Sequence, residues 1–393
     1  MKINHPLMHN NFLKSDFKQV IKLLNSTNPI LTQNKNVAQF EKKWSSWLGV
    51  KYSTFVNSGS SANFLTIALL KIFLKKNKLN IIVPSLTWNS DIVSILKNNC
   101  NPFFVDINLN NLCANEQEIV KLISKNKIDV LFITHALGFN GLTKNIISLC
   151  KKQKIIIIED VCESHGAKYK TKKLGSIGLV SNFSFYYAHH MSTIEGGMIS
   201  TNNYQINLLS KMLRSHGLLR EIKIPNLINK LSKKHKSLSK EFIFLHEGFN
   251  MRNNEINALI GLEQLKRLDK QNKKRSENFN FFLKHLDSSL FFVDFKIKGS
   301  SNYAFPLILK KSSFKLRDKL ESLMKYHNIE FRRGGPGGGN QLRQPYLKKL
   351  NTDYKNFQNT EHMHNFGYYI GNYPSLKKRK IKLICSELNK LKV

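Results

Sequence analysis

Four short runs of this 393-residue chain carry side chains able to bind an anion, hold a flat ring and move protons. In VNSGSSAN (56–63) a Gly-Ser turn stands between a strand and the start of a helix. Free N–H groups at a helix N-terminus, with the positive end of its dipole, form a phosphate cup. Gly59 lets the backbone approach closely and the Ser60 hydroxyl adds a donor, although Ser and Gly also cap many helices without any ligand. PSLTWNS (84–90) puts Trp88 just after a strand, where its face would hold a flat ring or fill a core. In IIIIEDVCESHGA (155–167) Asp160 ends an apolar strand, a costly place for a carboxylate without a partner, and Glu163 follows three residues later. SFYYAHHMSTIEGG (184–197) holds His189 and His190. Imidazole, with an ordinary pKa of about 6.5, can serve as base and then as acid. A His-His pair also arises by chance in a chain with 13 histidines.

Weaker signals surround these runs. LRSHGLLRE (213–221) contains His216, a loop histidine that is either solvated or near a substrate. GGPGGGN (334–340) is not a phosphate-binding P-loop, since no G-K-[ST] follows, nor does it open a helix after a first strand. Flanked by Arg332, Arg333 and Arg343, it is either a mobile loop over an anionic ligand or a plain glycine loop. The five cysteines (Cys100, Cys113, Cys150, Cys162, Cys385) have no C-x-x-C spacing. That argues against a disulfide framework, a zinc site or an iron–sulfur cluster, so no metal is expected.

The elements that must position these side chains follow from periodicity. IIVPS (81–85), FFVDI (103–107), DVLFITH (129–135) and KIIIIED (154–160) are short apolar runs. They alternate with amphipathic stretches at 61–76 and 142–153. This order predicts an α/β fold with a mostly parallel central sheet sandwiched by helices. Past residue 250 a long helix over 254–286 leads into a smaller α+β section whose last helix runs from Lys380 to Leu391. The expected division is a large domain over 1–250 and a small one over 251–393. No apolar run reaches the roughly 18–20 residues of a membrane span, and the amino terminus lacks a signal peptide's apolar stretch, so a cytoplasmic protein without membrane partners is expected. The net charge of +36 would ordinarily suggest nucleic acid. Its lysines are spread along the whole chain, which reads mainly as coding bias, and no nucleic acid is expected.

The run SFYYAHHMSTIEGG closely resembles the cofactor-lysine motif of the DegT/DnrJ/EryC1/StrS sugar aminotransferases, roughly S-F-x-x-x-K followed shortly by G-E-G-G. These enzymes use pyridoxal 5'-phosphate (PLP). His189 stands at the lysine position and Ile194 where many members have the first glycine. Histidine for lysine marks a small branch, the 4-keto-6-deoxy-sugar 3-dehydratases, and Glu163 in E-D-x-C-E-S points the same way, since aminotransferases of the family usually carry glutamine there. The resemblance covers nearly the whole chain and implies the fold type I architecture of PLP-dependent transferases. It implies that Gly59, Ser60 and Ser184 belong to the cofactor site, that Trp88 stacks on the pyridine ring and that Asp160 pairs with the ring nitrogen. Glu163 would lie near the phenolic oxygen, and His216 near the substrate. GFNMRNNEINALIGLEQL (248–265) matches the family's G-Y-N-x-R segment, so Asn250 would reach a neighbouring subunit's phosphate in a homodimer. The implied activity is removal of the C3 hydroxyl from a nucleotide-linked 4-keto-6-deoxy sugar, for surface-polysaccharide biosynthesis. PLP and its amine form, pyridoxamine 5'-phosphate (PMP), would be held without a covalent tether. His189 would be the base, and L-glutamate would restore PMP. A nucleotide-sugar aminotransferase is the nearest rival. A non-catalytic nucleic-acid-binding or regulatory protein on the same fold is the other.

Overall fold

The computed structural model describes residues 2–392. Two helices, α1 (Lys14–Leu24) and α2 (Lys35–Leu48), lead in. Strand and helix then alternate through β1 (Tyr52–Val56), α3 (Gly59–Leu74), β2 (Asn80–Pro84), α4 (Asn89–Lys97), β3 (Asn101–Val105), α5 (Glu116–Lys125), β4 (Val130–Thr134), α6 (Lys144–Gln153) and β5 (Ile156–Asp160). A small hairpin of β6 (Lys168–Tyr169) and β7 (Lys172–Lys173) precedes β8 (Val180–Ser184) and β9 (Gly197–Thr201), and α7 (Tyr204–Arg214) and α8 (Pro225–Ser232) follow. The last part holds α9 (Glu255–His285), β10 (Ala304–Ile308), α10 (Phe314–Tyr326), β11 (Phe331–Arg333), α11 (Gln358–Phe366), β12 (Gly367–Gly371) and α12 (Lys378–Leu388).

Among the described residues the main sheet has seven strands in the order β1-β9-β8-β5-β4-β2-β3. β9 runs antiparallel to both its neighbours, and the other pairings are parallel. Parallel pairing needs helical crossovers, which bury the strands from both faces, and β4 is accordingly buried along its whole length. The four apolar runs of the sequence lie at β2 to β5. β3 begins two residues before its expected start because its pairing to β2 opens at Asn80–Asn101. Pairing sets strand ends, and apolarity marks only their middles. β1, β8 and β9 (YSTFV, VSNFS and GMIST) carry too few Ile and Val residues to stand out.

β8 shows how the fold aims a site residue. Successive side chains of a strand point to opposite faces. Phe183 and Phe185 bury against Trp44, each at a ring distance of 4.9 Å, which turns the intervening Ser184 the other way. Truncating Phe185 to Ala should cost about 3–5 kcal/mol and loosen this alignment.

The second sheet is antiparallel, β10-β12-β11. Its core of Phe282, Phe305, Tyr368 and Ile370 is continuous with Leu86, Ile107 and Phe139 beside the main sheet. The chain's first residues pack there too: His5 Nε2 donates to the Gly371 carbonyl at 2.8 Å.

Candidate active site

Parallel sheets gather loops at the carboxyl ends of their strands, where ligands of such folds bind. Here the ends of β1, β4, β5 and β8 and the loop after β2 open onto one cavity of about 450 Å³, closed from the other side by the smaller sheet. Gly59, Ser60, Trp88, Asp160, Glu163, Ser184 and His189 line it. His216 and Asn250 do not. Both are exposed in the single chain and are neighbours of each other, with Ser215 bridged to Asn250 and the His216 N–H on the Phe249 carbonyl at 3.1 Å.

At the start of α3 the Ser58 hydroxyl caps the helix by accepting from the Ser61 N–H at 3.0 Å. The N–H groups of Gly59 and Ser60 stay unpaired among the described residues. Gly59 is required by space: a Cβ there would stand 2.6 Å from Ser184 Cβ. The result is a cup of backbone donors with the helix dipole behind it. Trp88, the N-cap of α4, is 54% exposed and offers its ring to the cavity.

Asp160 is 4% exposed at the end of β5. Its Oδ1 accepts from the Cys162 N–H at 2.8 Å and its Oδ2 from Asn63 Nδ2 at 3.0 Å. The same Asn63 nitrogen reaches Asp91 Oδ1 at 2.7 Å, so a second buried carboxylate lies directly behind the first. Sequence reasoning missed Asp91. Nothing in α4 marks it, since Asn89, Ser90, Ser94 and Lys97 of the same helix are polar too.

Glu163 Oε2 accepts from the Leu137 N–H at 2.8 Å, and Oε1 from the Tyr303 hydroxyl at 3.2 Å. Burial, with the nearby Asp160 charge, pushes its pKa up to about 7. Burial drives His189 the other way, down to about 4, with Asp160 opposing. His189 therefore rests neutral, and Glu163, on the same cavity, is the group that titrates near pH 7. Tyr303, from the segment before β10, closes against both, with its ring 5.9 Å from that of His189. It too was missed by sequence reasoning, and nothing in its local sequence marks it.

The glycine loop packs as structure. Gly334, Gly335, Gly337, Gly338 and Gly339 all have positive φ, and a Cβ on Gly337 would lie 2.3 Å from the Thr87 carbonyl. Arg333 pairs with Glu321 and Arg343 with Glu361, whereas Arg332 faces the cavity. Ile194, at the position where the family favours glycine, has φ of 69°. Left-handed backbone is costly for a β-branched residue, which is the physical reason for glycine there.

PLP would need donors for a phosphate, a face for its ring and an acid for its ring nitrogen. The cup that any Cβ on Gly59 would fill, the open ring of Trp88 and the carboxylate of Asp160 meet that demand. Among the described residues no lysine lines the cavity. When bound, the cofactor supplies an electron sink at the carbon it engages. The residues around it supply a neutral imidazole that can accept a proton and a carboxyl that can donate one.

A sheet of this order with this cavity at its strand ends defines a PLP-dependent enzyme of the aminotransferase fold. Residues 12–389 match the DegT/DnrJ/EryC1/StrS aminotransferase family, and the chain belongs to it. It is 31% identical over 378 residues to the GDP-4-keto-6-deoxy-D-mannose 3-dehydratase of Escherichia coli O55:H7, covering 94% of this chain and 96% of the relative. It is 31% identical over 401 residues to the Yersinia pseudotuberculosis enzyme of the same name, covering 99% of each. A crystal structure of GDP-4-keto-6-deoxymannose-3-dehydratase with a trapped PLP-glutamate geminal diamine superposes with a TM-score of 0.89 at 28% identity, covering 98% of this chain and 100% of that one.

Proposed function

We propose that this protein is a PLP/PMP-dependent 3-dehydratase that removes the C3 hydroxyl of a nucleotide-linked 4-keto-6-deoxyhexose, with GDP-4-keto-6-deoxy-D-mannose as the substrate to test first. The observation that carries the reading is His189 at the cavity where the family has its tethering lysine, in a cavity that no lysine among the described residues lines. A transaminase needs that lysine; a dehydratase needs a base that leaves the cofactor free. The neutral imidazole of His189 takes the proton whose loss drives electrons toward C3, then returns a proton to the departing oxygen. Such proton transfer is typically worth about 10²–10⁴-fold. Glu163, raised to about 7 and so partly protonated near neutral pH, is held on the same cavity by the Tyr303 hydroxyl and the Leu137 N–H.

L-Glutamate, the amino acid named in the superposed structure, is the proposed donor that restores PMP. The proposed working unit is a homodimer in which Asn250 and His216, exposed in one chain, reach the partner's cavity. The division near residue 250 belongs to the same proposal, with the first residues joining the smaller part. The test incubates the enzyme with PLP, glutamate and a panel of 4-keto-6-deoxy nucleotide sugars, beside His189→Asn. A 3-deoxy-4-keto product and released ammonia are expected from the wild type. The variant should bind PLP normally but lose about 10²-fold or more in turnover. Undiminished turnover by the variant removes His189 from the reaction.

A further inference from the structure

We propose that Asp91 and Asp160 hold one proton between them, and that Asp91, kept neutral, is a positioning residue that donates to Asp160 and fixes its charge toward the cavity. The inference rests on the reading of Asp160 as the partner of the cofactor's ring nitrogen. Asp91 is 0% exposed in the first turn of α4. Its Oδ2 accepts from Thr134 Oγ1 at 2.7 Å and from the Thr87 hydroxyl. Asn63 Nδ2, with two hydrogens, faces three acceptors: Asp91 Oδ1 at 2.7 Å, Asp160 Oδ2 at 3.0 Å and Ser90 Oγ at 3.1 Å. The Oδ1 of Asn63 is buried and has no partner among the described residues, so the contacts of its nitrogen, two of them to carboxylates, set the orientation of this amide.

Among the described residues no basic side chain pairs with either carboxylate. The buried pairs join other residues: His135–Glu159, Arg214–Glu41 and Arg267–Asp16. The titratable groups whose charge Asp91 or Asp160 meets are Cys162, Glu163, Tyr346 and, across the cavity, His189. Two carboxylates sharing one amide nitrogen in a dry site repel each other, and one proton between them relieves that repulsion. Burial first, and then the Asp160 charge, hold the Asp91 carboxyl well above the usual carboxylate range. Asp91 is walled in by hydroxyls and an amide, whereas Asp160 opens onto the cavity. The proton therefore stays on Asp91. One net negative charge remains at the cavity floor, with Asp160 Oδ1 fixed by the Cys162 N–H and Oδ2 by Asn63 and Asp91.

The test begins on cofactor-free protein by infrared spectroscopy. The wild-type minus Asp91→Asn difference spectrum should show the carbonyl stretch of a protonated carboxylic acid, persisting from about pH 5 to pH 8. Absence of that band throughout this range overturns the shared proton. PLP is then titrated onto the variants. Asp91→Asn, whose amide can still donate to Asp160, should bind PLP within about threefold of the wild type, while Asp91→Ala should bind about tenfold more weakly. If the band is present but Asp91→Ala binds PLP as the wild type does, the positioning role falls. If Asp160→Asn leaves PLP affinity unchanged, the ring-nitrogen reading fails by itself, and the infrared result stands apart from it.

Discussion

Replacing Glu163 by Gln should flatten the pH dependence of stability in the cofactor-free protein. The carboxyl is held at about 7 in the fold, against an ordinary value of 4.5, chiefly by burial. A carboxyl whose pKa rises on folding takes up a proton as the chain folds. Its contribution is therefore complete below about pH 4.5 and is lost as the pH rises through about 7. Within that window the slope is about 1.4 kcal/mol per pH unit, and the full shift amounts to about 3 kcal/mol. The side chain keeps some solvent contact, which reduces the expected figure to about 2 kcal/mol. Glutamine preserves the shape, since its amide oxygen can accept from the Leu137 N–H while its NH2 donates to the Tyr303 hydroxyl oxygen, but it has nothing to titrate. Urea unfolding of both proteins from about pH 5 to pH 8 measures the difference. Asp91 and Cys162 are also raised by burial, but they contribute equally to both curves. The variant should gain about 2 kcal/mol on the wild type across the range. Parallel curves would refute a proton resting on Glu163 near neutral pH, and with it the assignment of this carboxyl as the proton-holding partner of a neutral His189.

Two further outcomes follow from the same geometry. His189→Lys should form a borohydride-fixable bond between PLP and the new lysine and shift activity toward transamination; a peptide map without that adduct would mean that His189 does not occupy the tether position. Asn250→Ala and Ser60→Ala should each weaken PLP retention, yet mixing the two should restore activity, since both lesions can fall on one site of a mixed dimer and leave the other whole. A fully active monomer in sedimentation would exclude that arrangement.

What the sequence disclosed, and what it withheld, divides along a physical line. Gly59, Ser60 and Trp88 were legible as cavity-lining residues because each belongs to a contiguous strand–turn–helix run, and Asp160 and Ser184 because each ends a strand whose carboxyl end opens onto the cavity. β2, β4 and β5 were legible because strands buried on both faces must be apolar throughout. Asp91 and Tyr303 were not legible. Each acts through a partner far along the chain, Asn63 and Asp160 for one and Glu163 for the other, and no local pattern encodes such a meeting. The charge states were hidden for the same reason: whether His189 rests near 6.5 or near 4 depends on what covers it. The glycine loop's composition left two readings open, a cover over an anion and a plain glycine loop; its Pro336 lines the cavity, and Gly337 lets the backbone approach the Thr87 carbonyl.

The exchange of lysine for histidine places a demand on everything else in the cavity. A covalent tether holds a cofactor whatever its other contacts; without one, the proposed retention would fall to the N–H cup, the face of Trp88 and the carboxyl of Asp160. Each is a modest interaction that geometry must keep in register, since a misaimed donor or a wandering carboxylate forfeits most of its strength. The supports behind each are correspondingly strict. Ser184 leaves no room for a Cβ at Gly59, Phe183 and Phe185 lock the strand that carries Ser184, and Asn63 ties Asp160 to Asp91. On the proposed reading, what a lysine would secure with one bond falls to the rigidity of the shell around the cavity. Substitutions in that shell should therefore register first in cofactor affinity and only afterwards in turnover.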